Sequence, residues 1–540
     1  MTMKMKTKIT HLLLALLLLG GTACEDFIEI DNRGVQDLDN YFATDAEAEA
    51  FVNGIYKSFA IWDEWWQQIS RITNIMATDD AWMGNLGQDP ADHYAMSHYW
   101  VDASSAPGAL ANYYRFKYEN IGSANIAISL LPSANISENL KARLIAEAKF
   151  FRAFSYWELV QNFGDVVLIT QPESTDGINK TRAPKAEVYA QIVKDLKDAA
   201  AVLPPSYPDA ELGRVTSWAA KALLARTYLF MEDYTNAYAY ADTIIEEGPF
   251  ILEPNFVDIW SVYNHNGVES IFEIKASADQ SQNVGNRFSV VMAARGEIWP
   301  EGEGDKVMDG WGWCVPSSHL EQAYLSEGDE IRLKSTIIKA GEPVYGDETD
   351  NPNYQFDTNL NKSGRVWRKY YVPIAMRQEL TTKDRHIPLP KILLRLGEMY
   401  LTRAEAAYFL NRPDQAKADI ATLRARVELG DKNHLSGNDL LLAIWKERRL
   451  EMASEELRLF DLRRQTHPVS GKKMIVEAMG PNGYFVQYNM NESTDPYETI
   501  HPEERQDKGI QFVEGRHELW PIPQSEIDRS NKLISQNPNY

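Results

Sequence analysis

Ala146-Glu-Ala-Lys-Phe-Phe-Arg152-Ala-Phe-Ser-Tyr156-Trp-Glu-Leu159-Val-Gln-Asn162-Phe-Gly164 decides the architecture. It closes a longer stretch that reads as one helix from Ser137 to Asn162. Ser137 stands where a cap belongs, and Leu140, Leu144, Ala148, Phe151, Ser155 and Leu159 recur three or four residues apart. Gly164 is the stop, and Val166-Val-Leu-Ile169 is a short apolar run behind it. The same helical pattern extends outward. Upstream, Asp45 to Tyr56 follows Thr44 as N-cap, with acids in the first turn where the helix dipole favours them. Downstream come Lys185–Leu203, Val215–Tyr228 and Tyr234–Glu247.

Two segments have the small-aromatic spacing of tetratricopeptide-like hairpins. Ala225, Tyr228 and Ala237 form the first; Ala404, Ala407 and Ala416 form the second, with Pro413 opening its second helix. Small residues at these positions let paired helices approach closely. Between them, residues 251–390 change character: Gly, Asn, Asp and Trp are frequent and periodicity is weak, although Ser270-Ile-Phe-Glu-Ile-Lys275 alternates like a strand. Long loops inside a compact chain are functional or disordered, and the aromatic density argues against disorder. After Leu393 a helical pattern resumes to about Arg464, followed by a loop-rich end containing Trp520-Pro-Ile-Pro523. The expected fold is mainly α, a tetratricopeptide-like helical-hairpin scaffold with a loop-rich mid-chain insertion carrying short strands. The expected division is 1–23 as an export segment, 24–250 as a helical region and 251–540 as a region holding the insertion and the C-terminal helices, all in one compact unit.

The start of the chain is basic, with Lys4, Lys6 and Lys8, followed by the apolar run Leu12–Leu19. A membrane span needs roughly 20 apolar residues. This run is shorter and sits where a secretory signal belongs. It leads to Gly20-Gly21-Thr22-Ala23-Cys24, which resembles a bacterial lipobox, with Gly21 departing from the usual leucine. Cys24 is therefore the expected lipidation site, and more than one acyl chain is needed for stable anchoring. If it is acylated, Cys314 alone remains and no internal disulfide can form. Residues 1–23 hold three lysines and no acid, so the net charge of −22 becomes −25 without them. That balance argues against nucleic acid as a partner. Glu25, Asp26, Glu29 and Asp31, just behind Cys24, are either an outer-face sorting signal or a solvated tether.

Four stretches, in order, are similar to the SusD/RagB family. They are Ala146–Leu168; Leu393-Leu-Arg395-Leu-Gly-Glu398-Met-Tyr400-Leu-Thr-Arg-Ala404-Glu405; the pair Ile444-Trp-Lys-Glu447-Arg448-Arg449-Leu-Glu451 and Phe460-Asp461-Leu-Arg463-Arg464; and Leu519-Trp-Pro-Ile-Pro523 with Gln536-Asn-Pro-Asn-Tyr540. The resemblance implies a surface lipoprotein of the outer membrane. It would capture oligosaccharides, or in some members peptides, and deliver them to a SusC-like TonB-dependent transporter without catalysis. The charged residues of the late pair read as partly buried ion pairs that set helix register.

Fourteen Trp and 26 Tyr supply faces that stack on the C–H faces of sugar rings. Two clusters lie in the regions from which the resemblance implies ligand contacts. The first runs from Trp62-Asp-Glu-Trp65-Trp66 through Asp79-Asp80-Ala-Trp82-Met-Gly-Asn85 to His98-Tyr-Trp100. The second holds Arg287, Trp299 and Asp309-Gly-Trp311-Gly-Trp313. In Trp311-Gly312-Trp313 an extended backbone would place both rings on one side. The candidate glycan-binding set is Trp65, Trp66, Trp82, Asn85, Trp100, Arg287, Trp299, Trp311 and Trp313. Gly and Pro neighbours suggest exposed loops for Trp82, Trp299, Trp311 and Trp313, whereas Trp62, Trp65 and Trp66 also fit a packed helix end. Asp79-Asp80 reads equally as site or scaffold.

No His-Glu-x-x-His, Gly-x-Ser-x-Gly or phosphate-binding loop is present, and Cys314 has no evident activator, so no enzyme, cofactor or resident metal is expected. Glu301, Glu303, Asp305 and Asp309 are a solvated loop or a Ca²⁺ loop without EF-hand spacing. The alternatives kept open are a peptide-binding relative and a surface glycosidase working through paired carboxylates.

Overall fold

The computed structural model describes residues 42–60, 72–84, 91–102, 108–173, 180–279, 281–282, 284–298, 310–380, 387–489, 495 and 509–540. The deciding stretch is a helix, α4 (Glu138–Phe163), buried almost continuously from Leu144 onward. A helix apolar or sealed on all sides belongs inside a structure, and α4 is packed by α3 (Gly108–Leu130) and α5 (Lys185–Val202), with α1 (Asp45–Ala60) also in contact. Thr44 and Glu47 close a capping box at the start of α1: Glu47 N–H donates to Thr44 Oγ1 at 3.2 Å, and Thr44 N–H to Glu47 Oε2 at 3.1 Å. Ser137 does precede α4, but its hydroxyl makes no capping bond; its N–H instead donates to Asp45 Oδ1 at 3.1 Å. Gly164 ends α4 at φ +70°, where an added Cβ would come within 2.8 Å of Leu519.

Each helix stacks on the next through α6 (Ser217–Phe230) and α7 (Tyr234–Glu247). The array then skips the insertion: α7 packs directly on α12 (Leu396–Phe409), which continues into α13 (Pro413–Arg426) and α14 (Gly437–Glu451). The two sequence-level hairpins are thus neighbours in one helical scaffold. The insertion leaves and re-enters it through one antiparallel pair, β2 (Ser270–Ile274) with β8 (Lys391–Arg395). Leu393-Leu-Arg395, expected at the start of a helix, is the end of β8, because its backbone completes the pairing with Ser270 and Phe272. Within the insertion lie α8 (Phe288–Val291), α9 (Ser318–Leu325), α10 (Glu330–Thr336), α11 (Ile374–Glu379) and two small cores, one around Val290, Val372 and Ile387, the other around Ile338, Tyr354 and Val366.

The late helix pair, α14 and α15 (Arg458–Arg464), is cross-linked by buried charge. Arg448 donates to Asp461 at 2.8 Å; Glu451 accepts from Arg395 at 2.7 Å and from Arg332 at 3.1 Å; Arg464 forks onto Glu405 at 2.5 and 2.7 Å. Such pairs add little net stability against apolar substitutes but leave an uncompensated charge if halved, so they fix geometry.

Candidate functional site

One arm of that ion network reaches the site. Asp79 is fully buried and accepts from Arg458 Nε and Nη2 at 2.9 and 2.8 Å and from the Tyr484 hydroxyl at 2.8 Å. Arg449 donates to Asp80 at 2.6 Å. Burial alone would push the Asp79 carboxyl up, but Arg449 and Arg458 hold it far below its usual range. Asp79-Asp80 is therefore a scaffold corner. From it runs β1 (Ala81–Trp82), paired antiparallel with β4 (Val315–Pro316), while Ser317 seals the corner with its hydroxyl on Asp79 O at 2.6 Å and its N–H on Asp80 O at 2.9 Å. The chain just after β1 and the chain just before β4 carry the two aromatic clusters, and this pairing draws them together.

On the first side stands α2 (Ala91–Ser97). Tyr94 and His98, four residues apart and so on one face, stack at 3.9 Å and 23°. Trp100 meets both, at 5.2 Å and 5.0 Å, and remains 44% exposed. Tyr99 is what turns Trp100 outward. It adopts φ +61°, buries its own ring beside Trp520 and donates its hydroxyl to Ala77 O at 2.6 Å. The Trp100 N–H then closes back on Ala95 O at 2.8 Å.

On the second side the Trp-Gly-Trp strip is clamped along its backbone. Trp311, Gly312 and Trp313 donate to Val290, Ala293 and Val291 carbonyls at 3.0, 2.9 and 3.0 Å. Gly312 lies at φ +66°, not extended, and a Cβ there would sit 2.7 Å from Asn361 Oδ1. The two indoles are consequently tilted at 52°, 4.9 Å apart, with Trp313 buried and Trp311 half-buried. Trp313 stacks on His93 at 5.7 Å and 28°. Two ring groups thus meet at α2: Trp311 and Trp313 through His93, and Trp100 through Tyr94 and His98.

Of the expected set, Trp100 and Trp311 keep accessible ring surface, and each connects through ring contacts to α2. Trp82 and Trp313 are corrected from exposed to buried, at 2% and 5%: the first lies in β1, whose two residues are both buried, and the second packs against His93 and Trp311. Arg287 is also buried, at 4%, and its carbonyl starts α8 under the Trp311 turn. Trp65, Trp66, Asn85 and Trp299, with Cys24 and the loop Glu301–Asp309, lie outside the described residues. Tyr94 was missed; its signal is the i, i+4 spacing to His98.

The chemistry on offer is stacking and hydrogen bonding. Burial pushes the Cys314 thiol up and brings the His93 ring down to about 3, so the one is protonated and the other neutral at pH 7. Among the described residues no cluster of His, Cys, Asp and Glu could hold a metal, and no helix is long and apolar enough to cross a membrane.

Known proteins share this fold. The SusD family model matches residues 258–540, and a second model, described as starch-binding associating with outer membrane, matches 66–229. SusD-like protein P2 of Formosa agariphila is 28% identical over 99% of this chain and 100% of its own length. Starch-binding protein SusD of Bacteroides thetaiotaomicron is 23% identical, over 62% of this chain and 66% of its own. A solved laminarin binding SusD-like protein superposes with a TM-score of 0.75 at 25% identity, covering 92% of this chain and all of the other. A match running unbroken from 258 to the C-terminal tyrosine, on a helical scaffold that a solved relative reproduces over nine-tenths of the chain, places the protein in the SusD/RagB family.

Proposed function

We propose that the protein is a surface lipoprotein that binds oligosaccharide or polysaccharide, holding sugar rings against Trp100 and Trp311, and passes them to a SusC-like TonB-dependent transporter of the outer membrane without cleaving them. The observation that carries this reading is the pair of accessible indoles on a rigid base: one is held by the turn at Tyr99, the other by three backbone bonds to 290–293. Rigid aromatic faces supply contact area at low entropy cost, which suits a ligand with few apolar groups of its own. Glycan as the ligand class is supported by the matched starch-binding description and by the relatives named for starch and laminarin. Laminarin is therefore the first glycan to test. The anchor would be Cys24, with the protein facing the cell exterior.

Calorimetry against laminarin, starch, other neutral polysaccharides and a peptide mixture tests the ligand class. Saturable binding to at least one glycan, with no reducing sugar released, is expected. Binding confined to peptides would replace the reading with peptide capture. Sugar release abolished by a single Glu or Asp substitution would make it a glycosidase. Cys24→Ala is expected to release the protein from membranes, and retention would contradict the anchor.

A further inference from the structure

A second cleft, of about 350 Å³, opens at the far end of α14 and shares no residue with the Trp100–Trp311 region. It lies between the α6–α7 turn, the end of α12, the start of α14 and the segment after α15. Arg449, which carries the Asp80 contact, is eight residues beyond Leu441 of this cleft, a helical rise of roughly 12 Å. Tyr234 and Phe409 form one wall, stacked at 4.2 Å and 14°, with Phe409 41% exposed. Tyr408 and Trp445 continue the aromatic lining.

Its polar groups are of two kinds. Among the charged ones, Arg464 is held by both Glu405 oxygens and by Asp461 at 2.8 Å, while Glu232 stands exposed at the rim. Two of the neutral ones are without a partner. Trp445 and Gln465 both line the cleft and are 5% and 3% exposed. Trp445 Nε1, a donor, and Gln465 Oε1, an acceptor, have no hydrogen-bond partner among the described residues. Buried polar atoms without partners are uncommon and call for a ligand or water. An aromatic wall backed by a buried donor and a buried acceptor without protein partners suits a neutral molecule with an apolar face and hydroxyls.

We propose that this cleft is a second carbohydrate subsite, taking one or two neutral sugar units. Its volume is at the small end of ligand pockets, which run from about 300 to 1,000 Å³, so it takes a chain end or branch and not a polymer segment. A peptide's C-terminal carboxylate fits less well, because its counter-charge would have to come from Arg464, which two carboxylates occupy; a cationic group at Glu232 is what the tetramethylammonium control tests. This inference shares the ligand class of the proposed function but not its residues.

Saturation-transfer NMR tests it on the full chain carrying Trp100→Ala and Trp311→Ala. The probes are glucose, galactose, mannose, xylose, N-acetylglucosamine and glucose disaccharides linked β-1,3 or α-1,4, with tetramethylammonium as a cationic control. At least one sugar is expected to bind at millimolar concentration. Adding Phe409→Ala or Trp445→Phe should weaken that sugar roughly tenfold; the second variant keeps a six-membered ring and removes the indole N–H with the rest of the five-membered ring, and a melting curve checks that each variant stays folded. The proposal is overturned if no sugar binds the double variant, if binding survives both cleft substitutions, or if tetramethylammonium binds in place of the sugars. Polymer affinity in the same double variant reports on the Trp100–Trp311 reading separately.

Discussion

His93 sits beneath the site with its ring on Trp313, fully buried, and neither ring nitrogen has a hydrogen-bond partner among the described residues. Burial, with no charged neighbour acting on it, holds its pKa at about 3 against 6.5 in an unfolded chain. The folded state therefore binds fewer protons than the unfolded state between these values. The stability from keeping His93 neutral is fully present above pH 6.5 and is lost as pH falls toward 3. Each unit below 6.5 costs about 1.4 kcal/mol, so this one side chain accounts for about 2 kcal/mol at pH 5. His93→Phe keeps a ring against Trp313 and removes both orphaned nitrogens, whose burial without partners costs about 1–3 kcal/mol each. The variant should match or exceed the parent in stability at pH 7. Urea unfolding of both proteins from pH 8 to pH 5 should show their difference widening by about 2 kcal/mol in favour of the variant. Parallel curves, or a variant several kcal/mol weaker at pH 7, would refute the account, since either result means that His93 has partners in solution that hold its proton.

Two further predictions concern what holds the site in place. Asp79→Asn removes the charge that faces Arg449, Arg458 and Tyr484 in a buried corner. It should cost about 3–5 kcal/mol by chemical denaturation, and a change below 1 kcal/mol would mean that the corner is open to water. Gly312→Ala strains a left-handed backbone and pushes a Cβ toward Asn361. A loss of about 1–3 kcal/mol is expected, with weaker glycan binding because Trp311 is displaced; an unchanged melting temperature and affinity would show that the turn gives way freely.

The scaffold was legible because its signals are local. The periodicity of α4, the stop at Gly164 and the small residues at Ala225, Ala237, Ala404 and Ala416 each act within a turn or two of helix. Local sequence does not tell whether Asp79-Asp80 belongs to site or scaffold, because its partners Arg449 and Arg458 lie some 370 residues away. Exposure of the tryptophans was the least legible property. Glycine neighbours suggested open loops for Trp82 and Trp313. At Gly84 and Gly312, however, glycine is present because φ is positive and another segment presses close, Val315 in one case and Asn361 in the other. The same residue type that marks an exposed turn marks a tight internal approach, and only tertiary contact separates them. Trp100 could not be told from Tyr99 for the same reason: one left-handed residue sends the first ring outward and the second into the core.

The most direct test of the central claim is calorimetry of the Trp100→Ala, Trp311→Ala variant with laminarin, or with whichever glycan the parent binds best, beside a melting curve. Trp100 is largely exposed while Trp311 is half-buried against the main core and one small core, so the variant should stay folded with a lowered melting temperature while each lost stack weakens binding by about 0.5–1.5 kcal/mol beyond the contact area it removes, some tenfold to a hundredfold together. Unchanged affinity in a folded variant would contradict the account and place the glycan elsewhere on the protein.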